Sequence, residues 1–106
     1  MDRIIQIILT GDTEELLEGI GKHLVEKQLV ACAQIGGPIK SIYRWRGQIE
    51  EAREWTCTLK TTRNLYCRVE AEIRSLHPYE TPEIVAFEIV EALPEYRDWV
   101  TEETVG

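Results

Sequence analysis

The segment Leu76-His77-Pro78-Tyr79-Glu80-Thr81-Pro82-Glu83 holds an imidazole, a phenol and two carboxylates within eight residues. A neutral imidazole nitrogen suits copper, and carboxylates suit divalent ions generally. His77, Glu80 and Glu83 are therefore the candidate metal ligands. One histidine alone makes a weak site, so it needs Glu80, Glu83 or a group from a neighbouring subunit. The same residues also suit a subunit contact in which the His77 ring is hydrogen-bonded.

Two prolines make this segment stiff. Each fixes φ near −65° and removes a backbone donor. Each pushes the residue before it, His77 or Thr81, toward extended conformations. The segment is thus a rigid loop between a predicted helix and a predicted strand.

A second set is Lys60, Tyr79, Tyr43, Trp45 and Trp99. Aromatic walls with a positive group suit a small anionic ligand in a cleft between subunits. Trp and Tyr are equally enriched in plain interface cores. Cys32 lies in an apolar run, where a free cysteine behaves as a small hydrophobe; Cys57 and Cys67 read the same way. No HExxH, GxSxG or glycine-rich phosphate loop is present, so a non-enzymatic protein is expected. His23 falls on the polar side of a helix, where it is expected to be solvated.

The elements that must position these groups follow from periodicity. Arg3 to Thr10 is an isoleucine-rich strand. Asp12 with Glu15 three residues on gives a capping-box pattern for a helix running to about Gln28. Its apolar stripe is Leu16, Leu17, Ile20, Leu24 and Val25, and Gly19 and Gly21 suit close packing on a sheet. Leu29 to Ile35 reads as a strand closed by Gly36-Gly37-Pro38. Ile39 to Arg46 alternates, Gly47 marks a turn, and Ile49 to Thr61 begins polar and becomes a strand with Trp55, Cys57 and Leu59 on one face; together they read as a long β-hairpin with arms of eight to ten residues. Arg63 to Leu76 is helical, with Leu65, Val69, Ile73 and Leu76 on one side. Ile84 to Val90 is a strand, and Pro94 opens a last helix.

The order β-α-β-β-α-β with a terminal helix is an α+β, ferredoxin-like pattern in one domain, residues 1–106. The hairpin leaves an aromatic face and an open edge, which pairing with further copies would cover. Glutamates 50, 51 and 54 with arginines 44, 46 and 53 suggest cross-strand ion pairs at the hairpin tip.

The 106 residues carry a formal charge of −7, which disfavours nucleic acid and anionic membranes as partners. Three cysteines without CxxC spacing are neither a disulfide framework nor a zinc finger. With no signal-peptide pattern at the start and no membrane-length apolar run, a cytoplasmic protein with reduced thiols is expected.

Several stretches, in order and spacing, resemble the CutA family of divalent-cation tolerance proteins. They are Leu29-Val30-Ala31-Cys32-Ala33-Gln34-Ile35, Ser41-Ile42-Tyr43-Arg44-Trp45-Arg46-Gly47, Lys60-Thr61-Thr62 and His77-Pro78-Tyr79-Glu80-Thr81-Pro82-Glu83-Ile84, with Tyr96 and Trp99 near the end. The resemblance implies an intertwined homotrimer of ferredoxin-like subunits, similar in architecture to the PII signalling trimers. It implies binding of copper (Cu2+) or another divalent cation, with no obligatory cofactor. Carry-over of a metal site is confined to His77. Leu76 stands where some members have a second histidine, and Leu9-Thr10 where some have a cysteine. The alternative function is a PII-like regulator that binds a small anionic metabolite near Lys60 and Tyr79.

Overall fold

The computed structural model describes residues 3–105. Its elements are β1 (Ile4–Gly11), α1 (Glu14–Glu26), β2 (Cys32–Trp45), β3 (Gln48–Thr62), α2 (Tyr66–Leu76), β4 (Ile84–Glu88) and α3 (Pro94–Glu102). A short 3-10 turn, Arg63–Leu65, leads into α2. The four strands form one antiparallel sheet in the order β2-β3-β1-β4. This is a mixed α+β architecture with three helices.

Side chains alternate across a sheet, so β1 feeds two cores. Ile5, Ile7 and Leu9 join Cys57 and Leu59 beneath α1 (Leu17, Ile20, Leu24) and α2 (Val69, Ile73). Ile4 points the other way and packs with Ala31 and Val100 of α3. Thus α1 and α2 cover one face, and α3 covers one end of the opposite face. Val25 and Leu76, assigned to the apolar stripes by sequence, are exposed; each sits at the last turn of its helix, past the edge of the core.

Several boundaries differ from the sequence reading, among them the end of β4 at Glu88 instead of Val90 and the start of α2 at Tyr66 instead of Arg63. The α1 cap is Thr13, whose hydroxyl accepts from the Leu16 N–H at 3.1 Å, not Asp12. Leu29 to Ala31 are buried but lie outside any strand, tied to β3 by the Ala31 N–H on the Lys60 carbonyl and the Thr61 hydroxyl on the Leu29 carbonyl.

The hairpin is longer than expected, with arms of 14 and 15 residues. Gly36-Gly37-Pro38 does not end β2 but bulges it, since register shifts between Gly36↔Thr56 and Ile39↔Glu54. A bulge adds one unpaired residue and bends a strand without breaking its pairing. Arg46 (φ 51°) and Gly47 (φ 79°) then close a two-residue turn, with the positive φ values that a type I′ hairpin requires. Fourteen residues at about 3.3 Å each span about 46 Å, comparable with the longest molecular dimension of 45 Å.

Gly19 and Gly21 have different roles. A Cβ on Gly21 would lie 2.9 Å from the Ala33 Cβ, whereas nothing stands within 4 Å of one on Gly19. Gly21 therefore sets how closely α1 approaches β2. Gly21→Ala is expected to cost about 1–3 kcal/mol through overpacking, while Gly19→Ala gains up to about 1 kcal/mol of helix propensity. Urea midpoints that move in the same direction for both variants would contradict this assignment.

Candidate functional site

The loop between α2 and β4 folds back against the hairpin and encloses a groove of about 610 Å³. Its lining includes Tyr43 and Trp45 from β2, Glu54 from β3, and Tyr79, Glu80 and Glu83 from the loop. The period-2 alternation of β2 sends Ser41, Tyr43 and Trp45 to one face. The antiparallel register puts Glu54 on the same face, in line with Ile39.

His77 anchors the loop. Its side chain is buried at 7% exposure. Nε2 donates to the Thr10 carbonyl at 2.7 Å, and Nδ1 accepts from the Tyr79 backbone N–H at 3.2 Å. β4 pairs with β1 only as far as Leu9, and the imidazole meets the next carbonyl along. The ring edge also packs on Tyr79, with centroids 4.6 Å apart. Both ring nitrogens are thus committed within the chain, whereas the sequence reading set a hydrogen bond across a subunit contact beside the metal role.

Tyr79 in turn donates its hydroxyl to Glu54 Oε2 at 3.0 Å. Burial, then the Glu54 carboxylate, pushes the phenol well above the usual tyrosine range, so it stays a donor at any working pH. Glu54 is itself buried, at 7% exposure. Sequence placed Glu54 among hairpin-tip ion pairs, but no cation lies within 4 Å of it among the described residues; the one pair between the hairpin strands is Lys40–Glu51 at 3.9 Å. Arg46 instead reaches across to Glu80 at 3.3 Å, with its guanidinium 5.5 Å from the Trp45 ring centre.

The candidate residues divide between two ends of the sheet. Tyr43, Trp45, Tyr79, Glu80 and Glu83 line the groove, with His77 behind it. Lys60 lies six residues from Glu54 along β3, about 20 Å away, and donates to Gln34 Oε1 at 3.1 Å. Trp99 packs on Tyr96 in α3, whose hydroxyl lies 3.7 Å from Cys32 Sγ. One chain does not bring Lys60 or Trp99 to the groove. Among the described residues, no three His, Cys, Asp or Glu side chains converge to hold a metal ion. Burial, then the nearby Cys32, pushes the Cys57 thiol up to about 12, so no thiolate is available there for a soft metal.

Sequence reasoning missed Glu54, because nothing in its neighbourhood separates a groove carboxylate from a solvated one. His23 was also read differently: its Nε2 meets Glu72 Oε1 at 2.7 Å and Lys27 joins at 3.3 Å, linking α1 to α2. These two partners hold the Glu72 carboxyl below its usual range.

The chain is thus an α+β domain with one antiparallel sheet, a long hairpin and a groove lined by carboxylates and aromatic rings. The CutA1 divalent ion tolerance protein family model matches residues 5–103, and the chain belongs to that family. It is 41% identical over 98 residues to the divalent-cation tolerance protein CutA of Thermus thermophilus, covering 92% of this chain and 95% of that protein. It is 41% identical over 96 residues to that of Archaeoglobus fulgidus, covering 91% and 93%. The solved structure of the divalent cation tolerance protein from T. thermophilus superposes with a TM-score of 0.94 at 39% identity, covering 96% of this chain and 99% of that one. CutA1 from Ehrlichia chaffeensis gives 0.93 at 33% identity, covering 99% and 98%.

Proposed function

We propose that this chain is a non-enzymatic, cytoplasmic homotrimer that takes up divalent cations, copper among them, on the Glu80 and Glu83 carboxylates at the groove rim. The observation that carries the reading is the concentration of carboxylates on one groove in a member of a divalent-ion tolerance family. With both its nitrogens engaged, His77 holds the loop, and coordination through its ring would require breaking one of two hydrogen bonds. Because one chain does not converge three donors, a neighbouring subunit completes the coordination. Three free thiols support a reducing compartment.

The homotrimer is supported by two open sheet edges and exposed apolar side chains. Ile42 is 64% exposed, Ile49 69% and Phe87 56%. A long, apolar, unpaired edge is an aggregation hazard unless another strand covers it. The ferredoxin-like subunit would therefore exchange hairpins with its neighbours in a PII-like assembly. Light scattering at micromolar concentration is expected to give about 37 kDa, three times the 12.3 kDa chain; a mass near one chain would rule the assembly out.

Calorimetry with copper(II) tests the site on the reduced protein at pH 7. The double variant Glu80→Gln/Glu83→Gln is expected to lose at least about tenfold in affinity, and His77→Gln to keep it. The reverse pattern would make the imidazole the ligand. The PII-like alternative is less favoured by the groove, whose lining holds three carboxylates and, among the described residues, no Lys or Arg, with Arg46 paired to Glu80 at its rim. An anionic metabolite would need Lys60 from a neighbouring subunit.

A further inference from the structure

The groove floor carries a charge that the divalent-ion reading does not use. Glu54 is buried to 7% exposure, and only its Oε2 has a partner, the Tyr79 hydroxyl. No fully enclosed side-chain oxygen lacks a hydrogen bond among the described residues, so Glu54 Oε1, which has none, opens into the groove. A carboxylate this deep, with no positive group within 4 Å, is a costly arrangement for an empty cleft. The walls above it are the aromatic rings of Tyr43, Trp45 and Tyr79, and Glu83 stands at the rim.

The rim also shows what kind of cation this surface holds. Arg46 places its guanidinium 5.5 Å from the Trp45 ring centre while pairing with Glu80 at 3.3 Å. An organic cation between an aromatic ring and a carboxylate gains from both the ring quadrupole and the ion pair. A bare metal ion cannot use the aromatic walls in this way, because it keeps its waters or takes oxygen ligands. An anion is opposed by every carboxylate in the lining.

We propose that the groove is a binding site for a protonated linear aliphatic polyamine. One ammonium would sit on Glu54 Oε1, the methylene chain would run along Tyr43 and Trp45, and a second ammonium would reach Glu83 at the rim. This site shares Glu83 with the divalent-ion reading and differs from it at Glu54, on which that reading does not depend.

The test is calorimetric titration of spermidine into the full-length protein at pH 7, in an amine-free buffer, against sodium chloride of matched ionic strength. Saturable binding is expected, with affinity lowered about tenfold or more in Glu54→Gln. Glutamine still accepts the Tyr79 hydroxyl, so the fold is kept; unchanged mass and circular dichroism check this. Trp45→Leu, at a half-exposed position on the hairpin, is expected to weaken binding as well while leaving the fold intact. Spermidine heats no different from those of salt would overturn the proposal, as they would if a neighbouring copy's arginine filled the groove. Glu54→Gln binding spermidine as the wild type does would also overturn it. Failure of spermidine to bind leaves the copper result with Glu80→Gln/Glu83→Gln standing on its own.

Discussion

His77→Ala is expected to lower the unfolding free energy by about 3 kcal/mol, although the residue sits in a loop. The imidazole is buried and bonded at both nitrogens, to the Thr10 carbonyl at 2.7 Å and from the Tyr79 N–H at 3.2 Å. Alanine leaves a buried carbonyl without its donor, which costs about 1–3 kcal/mol. It also opens a ring-sized cavity beside Tyr79, and cavities of that order add comparable amounts. Tyr79 is the link from the loop to Glu54, so the groove would lose its shape with the loop. His77→Gln separates anchoring from coordination. A glutamine amide can still donate toward Thr10, so it recovers part of the loss and keeps cation binding if the ring is an anchor. Urea unfolding of the three proteins, read with copper titration, decides the matter. A cost below about 1 kcal/mol for the alanine variant would show that the loop stands without its histidine.

Gly37→Ala is expected to cost a similar amount by a different route. Gly37 has φ +138°, where a side chain is strained. A Cβ there would lie 2.8 Å from Trp55 Cδ1 and 3.1 Å from the Trp55 Cα. The backbone atom cannot move aside, so the strain of about 1–3 kcal/mol and the clash of about 1–3 kcal/mol both fall on the bulge. The neighbouring Gly36→Ala is the control, because its Cβ would meet only Thr56 Oγ1 at 3.8 Å. Its effect is expected within about 0.5 kcal/mol of zero, as for a surface change without a special backbone role. Equal midpoints for the two variants would show that Gly37 does not set the bulge. The functional consequence is testable in the same samples. Tyr43 and Trp45 lie beyond the bulge and Glu54 faces it across the ladder, so a disturbed bulge should weaken any groove ligand in proportion to stability lost.

Local pattern alone settled the elements and their order. The isoleucine-rich run of β1, the helical spacing of Leu17, Ile20 and Leu24, and the shared face of Cys57 and Leu59 are all short-range signals, and each appears in the core as read. The rigidity of the loop from Pro78 and Pro82 is likewise a property of two residues. Glu80 and Glu83 were legible as metal ligands and Tyr43, Trp45 and Tyr79 as walls of a separate cleft, and a single groove is lined by members of both sets. What sequence did not reveal depends on contacts between distant positions. Whether Gly36-Gly37-Pro38 ends a strand or bulges it is decided by Trp55 and Thr56 across the ladder, about twenty residues away. Whether His77 offers a nitrogen to a metal is decided by Thr10, 67 residues earlier. Lys60 and Glu54 share one strand and one face, so only the position of the loop shows that Glu54 belongs to the groove and Lys60 does not. Periodicity reports which side of an element faces the core. The partners of a polar group are set by which elements meet, and that is a property of the folded chain.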